Sequence, residues 1–232
     1  MGLKEDLISK VNQTFATKWE EQKTIDVPDP ENLQLKSNHA KYLEMATVLY
    51  ADIDGSTNMV DQFEWFFCAE VYKAYLSCAA QIIRNEEGTI TAYDGDRVMA
   101  VFTGDSKNTN AVRASLKINY SVAEIIKPAI QKKYPQKEFI FKHVIGIDSS
   151  PLHTARIGVH GENDLVWIGR AANYAAKLCT RPDKPVWITK SVYDKMNKDV
   201  KFSDDKDMWT SYKWETMNDM EIYATGYYWW SR

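Results

Sequence analysis

The chain has 232 residues, a formal net charge of −3 and 44% hydrophobic residues. That length suits a single domain with decorations, and the apolar content is enough for a substantial core. The charge balance gives no basic field for nucleic acid or an anionic membrane surface, and no apolar run approaches the roughly 20 residues that span a bilayer.

In chain order, Leu3, Leu7, Ile8 and Val11 make a short amphipathic stripe, which predicts a leading helix. Asp26-Val27-Pro28-Asp29-Pro30 cannot continue a helix and reads as a linker. The chain therefore divides into an N-terminal helix and linker, 1–40, and a compact domain, 41–232. Residues 46–52 form a β-branched and apolar run typical of a buried strand. Asp54-Gly55-Ser56-Thr57 breaks that run, and Ser56 or Thr57 stands where the next helix needs a cap. That helix is expected over about 59–86, with Val60, Phe63, Phe67, Val71, Leu76 and Ile82 on its apolar face. Strands at 89–93 and 98–102 follow, joined by Asp94-Gly95-Asp96-Arg97, and an Asp-Gly between two such runs signals a hairpin. A second helix is expected at about 107–132, strands at 139–147 and 153–159, and a third helix at about 169–180. Residues 158–161 read as a turn, and short strands are expected at 186–189 and 221–230.

Strand, helix, hairpin, helix, strand is the split βαβ order of a ferredoxin-like sheet. The fold class read from the sequence is α+β, a ferredoxin-like βαββαβ core with extra C-terminal strands and helix. This topology sets the end of the first strand beside the hairpin tip, so Asp52 and Asp96 should meet. Taken singly, Asp52 is an ordinary strand-end residue and Asp96 an ordinary turn residue that tolerates positive φ. Two facing carboxylates, however, suit Mg²⁺ or Mn²⁺ with positions left open for phosphates. A pair of such ions activates a hydroxyl and stabilises the leaving oxygen of an in-line displacement. The backbone N–H groups of Gly55, Ser56 and Thr57, at a helix N-terminus, would face a triphosphate.

The run Val48-Leu49-Tyr50-Ala51-Asp52-Ile53-Asp54-Gly55-Ser56-Thr57, followed by Tyr93-Asp94-Gly95-Asp96-Arg97, resembles the catalytic core of class III adenylate and guanylate cyclases. The segment 167–177 resembles that family's third motif, in which Gly169 is followed four residues later by Asn173 and eight residues later by Lys177. The resemblance covers roughly 44–190. It implies that Asp52 and Asp96 bind two Mn²⁺ or Mg²⁺ ions per site, with the Ile53 backbone as a further ligand. It also implies that Asn173 orients the ribose and that Lys177 stands where an Arg normally stabilises the transition state. Lys lacks the planar fork of Arg, but it still supplies charge to a developing phosphate oxyanion. A solvated helix face would space Asn173 and Lys177 in the same way. Family sites form between two domains, so a head-to-tail homodimer with shared active sites is implied.

Adenylate cyclases of this family read adenine through a Lys on the hairpin and an Asp before the third helix. Ala92 and Val166 occupy those positions here. A site built to hydrogen-bond adenine is therefore not expected. Tyr50 lies two residues before Asp52 on one strand and shares its face, where its ring either packs in the core or narrows a base pocket. Arg97 is either a solvated hairpin residue or a contact to a base carbonyl or phosphate. These features resemble the Pycsar pyrimidine cyclases of bacterial anti-phage defence. That likeness implies UTP or CTP as substrate, UTP preferred, and a second messenger read by a separately encoded effector. The charge balance and the lack of a signal peptide or spanning apolar run predict a cytoplasmic protein with no nucleic-acid or membrane partner.

Four alternatives stay open: a cytidylate cyclase, a purine cyclase, a degenerate regulatory cyclase domain, and a haloacid-dehalogenase-type phosphatase. The phosphatase would use Asp52 as nucleophile and Asp54 as general acid, but its doubly wound sheet needs more βαβ units than the chain between its motifs holds. Cys68, Cys78 and Cys179 have no metal-ligand spacing and read as thiols of a reducing compartment. His39, His143, His153 and His160 have no triad partners, and His143 and His153 read as strand packing residues.

Overall fold

The computed structural model describes residues 2–33, 38–159 and 162–230. It opens with helix α1 (Leu3–Ala16), none of whose residues is buried. A short strand, β1 (Glu20–Thr24), lies in the stretch read from sequence as helix and linker. It pairs in parallel with the start of β2 (His39–Asp54), the long central strand. Its segment Glu-Glu-Gln-Lys-Thr shows no apolar alternation, so only the backbone pairing and partner side chains make it a strand. Two histidines supply such partners: His39 Nε2 lies 3.0 Å from Glu20, and His153 Nε2 lies 2.7 Å from Glu21.

The single helix expected over 59–86 is two helices, α2 (Ser56–Gln62) and α3 (Trp65–Asn85). Phe63 takes an extended backbone between them, which turns Phe67, Val71, Tyr75 and Ile83 of α3 onto the sheet. Strands β3 (Thr89–Asp94) and β4 (Arg97–Phe102) form the expected hairpin. The second helix also divides, into α4 (Lys107–Tyr120), a π-helical turn (Ser121–Ile126) and α5 (Lys127–Lys133). The two strands expected at 139–147 and 153–159 are one, β5 (Lys142–Val159). Pro151 does not break it; the bulge falls instead on β2, between Leu43 and Ala46. The turn read at 158–161 includes His160 and Gly161, which lie outside the described residues.

Next come β6 (Glu162–Ile168), α6 (Arg170–Leu178), β7 (Val186–Thr189) and α7 (Lys190–Tyr193). A small hairpin, β8 (Phe202–Ser203) and β9 (Lys206–Asp207), precedes β10 (Thr210–Trp214) and β11 (Met220–Thr225). The strand read at 221–230 ends at Thr225. Beyond it, Asn119 Nδ2 donates to the carbonyls of Gly226 and Tyr227, holding the tail on α4 rather than in the sheet.

The main sheet runs β10-β11-β7-β5-β2-β4-β3, with β1 and β6 attached to β2 and β5. Its stretch β5-β2-β4-β3 is antiparallel throughout and has the order of the ferredoxin-like core. This is the fold class expected from the sequence. It is not the parallel doubly wound sheet of the phosphatase alternative. Leu49, Ala51 and Ile53 of β2 face the layer of α3 and α4, while Ala46, Val48 and Tyr50 face α6. Among the described residues, no helix is long and apolar enough to cross a membrane.

Candidate active site

Two features of the sheet bring the carboxylates together. Ala51 pairs with Val98 across β2 and β4, so Asp52 and Ile53 extend level with Arg97 and Asp96 at the hairpin tip. The tip is tight because Gly95 takes φ +62° with open space around it. Among the described residues, Asp96 is not one of the non-glycine positions with positive φ. It therefore does not sit at the tip for its tolerance of that conformation.

Burial pushes the Asp52 carboxyl up to about 6, and the neighbouring Asp96 charge adds to the shift. Arg97 and a hydrogen bond from the Ile53 backbone oppose it. Oδ2 of Asp96 is buried and has no hydrogen-bond partner. A buried anionic oxygen without a partner, beside a second carboxylate, is costly unless a cation completes the site. Ile53 turns its side chain into the core and presents only backbone here. No group of three or more His, Cys, Asp or Glu capable of holding a metal occurs among the described residues. The protein thus offers two carboxylates and a backbone carbonyl, a sparse oxygen set of the kind that leaves room for substrate phosphates.

Next to this pair, Gly55 takes φ +76° and starts α2. No side chain caps the helix, so its first N–H groups, at Ser56 and Thr57, lack a side-chain acceptor. Tyr72 of α3 lies beside Ser56 and Asp96, and its hydroxyl is pushed up first by burial and then by the Asp96 charge. Tyr72 is a neighbour of the carboxylates that sequence reading missed, since only the packing of α3 brings it there.

Tyr50 stands on the α6 side of β2, as alternation with Asp52 predicts. The Arg97 guanidinium lies 5.4 Å from the centre of its ring and 2.8 Å from Asp94. Asp94 thereby directs Arg97 across the face of the sheet, a role the sequence did not suggest. Ala92 pairs with Met99, and Met99 with Tyr50, so these three form one row with no hydrogen-bonding side chain except the Tyr50 hydroxyl. Val166 on β6 is 42% exposed.

Asn173 and Lys177 are not brought to the carboxylates within one chain. Both lie exposed on the outer face of α6, whose inner face buries Ala171, Ala172, Ala175 and Leu178. Two contacts fix this helix. Arg170 makes a two-pronged ion pair with the fully buried Asp148. Gly146 lets α6 lie directly on β5, because a Cβ there would fall onto the Ala175 carbonyl oxygen. The Lys177 ammonium lies 3.7 Å from Met217 Sδ.

The comparisons with known proteins bear on the family and the fold. No family model matches the chain. The chain is 58% identical over 217 residues to a uridylate cyclase of Burkholderia cepacia, covering 94% of each protein. It is 47% identical over 229 residues to a uridylate cyclase of Xanthomonas perforans, covering 99% of each. Among solved structures, the adenylyl cyclase CyaB from P. aeruginosa superposes with a TM-score of 0.67 at 20% identity, covering 83% of this chain and 97% of that one.

Proposed function

The chain belongs to the uridylate cyclase family and is a nucleotidyl cyclase, and from this premise we propose that it converts UTP to 3′,5′-cyclic UMP and diphosphate. The carrying observation is the pairing of Asp52 with Asp96, one carboxyl pushed up to about 6 and the other with an unpartnered buried oxygen. Asp52, Asp96 and the Ile53 carbonyl would hold two Mn²⁺ or Mg²⁺ ions. Bound there, the ions supply charge to the phosphates and make the ribose 3′-hydroxyl more acidic.

The chain's own groups then position the reactants. The N–H groups of Ser56 and Thr57, after Gly55 and without a side-chain cap, would cradle the β- and γ-phosphates. The 3′-oxygen forms a bond to the α-phosphorus as the bond to the diphosphate oxygen breaks, and the hydroxyl proton leaves to solvent. Asn173 orients the ribose and Lys177 stabilises the charge that grows on the phosphorane. Both come from the second copy of a head-to-tail homodimer, because on this chain they face outward.

The base is a pyrimidine because the row Tyr50, Met99, Ala92 offers a small surface with few polar groups, and Arg97 rests against the Tyr50 ring. Arg97 supplies a donor to the O4 carbonyl of uracil, where cytosine carries an amine that cannot accept. The protein acts in the cytoplasm, where its three cysteines stay free, and its product is the second messenger of an anti-phage system, read by a separate effector.

The test is incubation of the purified protein with Mn²⁺ and each of the four nucleoside triphosphates in turn, with products identified by mass. Cyclic UMP should dominate. Cyclic CMP, AMP or GMP as the main product overturns the choice of base, and no cyclic product from any triphosphate overturns activity in this chain.

A further inference from the structure

Behind the Asp52 strand end lies a buried hydrogen-bonded chain that the cyclase reading leaves unused. The Tyr75 hydroxyl on α3 lies 3.5 Å from the Asp52 backbone carbonyl oxygen and 3.3 Å from Nδ1 of His143. His143 Nε2 lies 3.1 Å from Oδ1 of Asn119 on α4. Asn119 Nδ2 donates to the carbonyls of Gly226 at 3.2 Å and Tyr227 at 3.0 Å. All three side chains are buried, so water does not replace their partners.

The direction of every bond follows from the tail. The Gly226 and Tyr227 carbonyls only accept, so they fix the Asn119 amide with its nitrogen outward. Oδ1 then faces His143 and accepts, which places the ring proton on Nε2. Nδ1 becomes an acceptor for the Tyr75 O–H, which it shares with the Asp52 carbonyl oxygen. That carbonyl belongs to Asp52 itself, so Tyr75 holds the backbone from which the Asp52 carboxylate projects. Fully satisfied buried networks of this kind hold a single geometry.

We propose that Tyr75, His143 and Asn119 are positioning residues that hold the Asp52 backbone so that its carboxylate keeps a metal-binding orientation, with Gly226 and Tyr227 setting the hydrogen-bond directions. The proposal rests on the two-metal reading of Asp52 and Asp96. Groups behind metal ligands act on affinity through the ligand's orientation.

The experiment measures Mn²⁺ binding by electron paramagnetic resonance with saturating 3′-deoxyuridine triphosphate, which lacks the attacking hydroxyl. It compares the full-length protein with Tyr75→Phe, and with Asn119→Asp, which keeps the acceptor toward His143 but repels the tail carbonyls. Mn²⁺ should bind about tenfold more weakly in both variants, with the KM for UTP at saturating Mn²⁺ unchanged. Weakening of less than about threefold in folded variants overturns the proposal. If Tyr75→Phe does not fold, Asn119→Asp decides alone. A wild type that binds Mn²⁺ but makes no cyclic product removes the cyclase reading and leaves the positioning test intact. A wild type that binds no Mn²⁺ overturns both.

Discussion

At Asp52 two demands oppose each other. A carboxylate that binds cations must be ionised, yet burial and the adjacent Asp96 make ionisation unfavourable in the metal-free protein. The sign of the resulting stability effect is fixed. A carboxyl whose folded pKa is raised from 3.8 to about 6 favours the folded state below pH 3.8. It loses that contribution as pH rises through about 6. At pH 7 the metal-free protein therefore carries an unrelieved charge at this position. Asp52→Asn is expected to melt at the same or a higher temperature than wild type without metal, while its cyclase rate falls by about 100-fold or more. Thermal unfolding at pH 7 in chelator, alongside the rate with Mn²⁺, checks both halves. A variant that loses activity by losing stability would place Asp52 in the scaffold rather than at the metals. The pair Asp52 and Asp96 was legible in the sequence because strand order alone predicts their meeting. Tyr72, Tyr75 and His143 were not. Their contacts join residues far apart in the chain, and a buried histidine in an apolar strand looks the same whether or not it completes a network.

At the scale of elements, α6 depends on close approach rather than on large side chains. Its buried face is mostly alanine, and it rests on β5 at Gly146 with no space for a Cβ. Gly146→Ala should destabilise the protein by about 2–3 kcal/mol, because overpacking moves backbone when no side chain can yield. Chemical denaturation measures that cost. If α6 is also the platform for Asn173 and Lys177, the residual folded enzyme should lose rate more than UTP affinity. The order of strands and helices was readable because hydrophobic period and turn residues agree along most of the domain. It failed where local signals are silent. Glu20–Thr24 is a strand with no apolar residue, held by its neighbours. The break at Phe63 has neither Gly nor Pro, and follows from the need of α2 and α3 to meet the sheet at different places. Pro151, which reads as a boundary, sits within β5 instead.

At the scale of the whole molecule, the proposed site is divided. The carboxylates lie at the β2 end and hairpin tip, whereas Asn173 and Lys177 point outward from α6 with no contact to them. On the proposed function, a complete site forms only by pairing with a second copy, and a two-fold arrangement makes two. This gives a test that no single substitution provides. Asp52→Asn removes the metal half and Lys177→Ala the α6 half, so each homodimer should be inactive. When the two variants are co-expressed, half of the dimers are mixed, and each mixed dimer keeps one site with both halves intact. Activity should return to about a quarter of wild type. The mixture is assayed for cyclic UMP after separate tags on the two chains are used to verify that mixed dimers form. Mixed dimers that stay inactive would mean that one chain supplies a whole site, and α6 would then have to swing toward its own hairpin. Gly146 and the Arg170–Asp148 pair hold it against that movement.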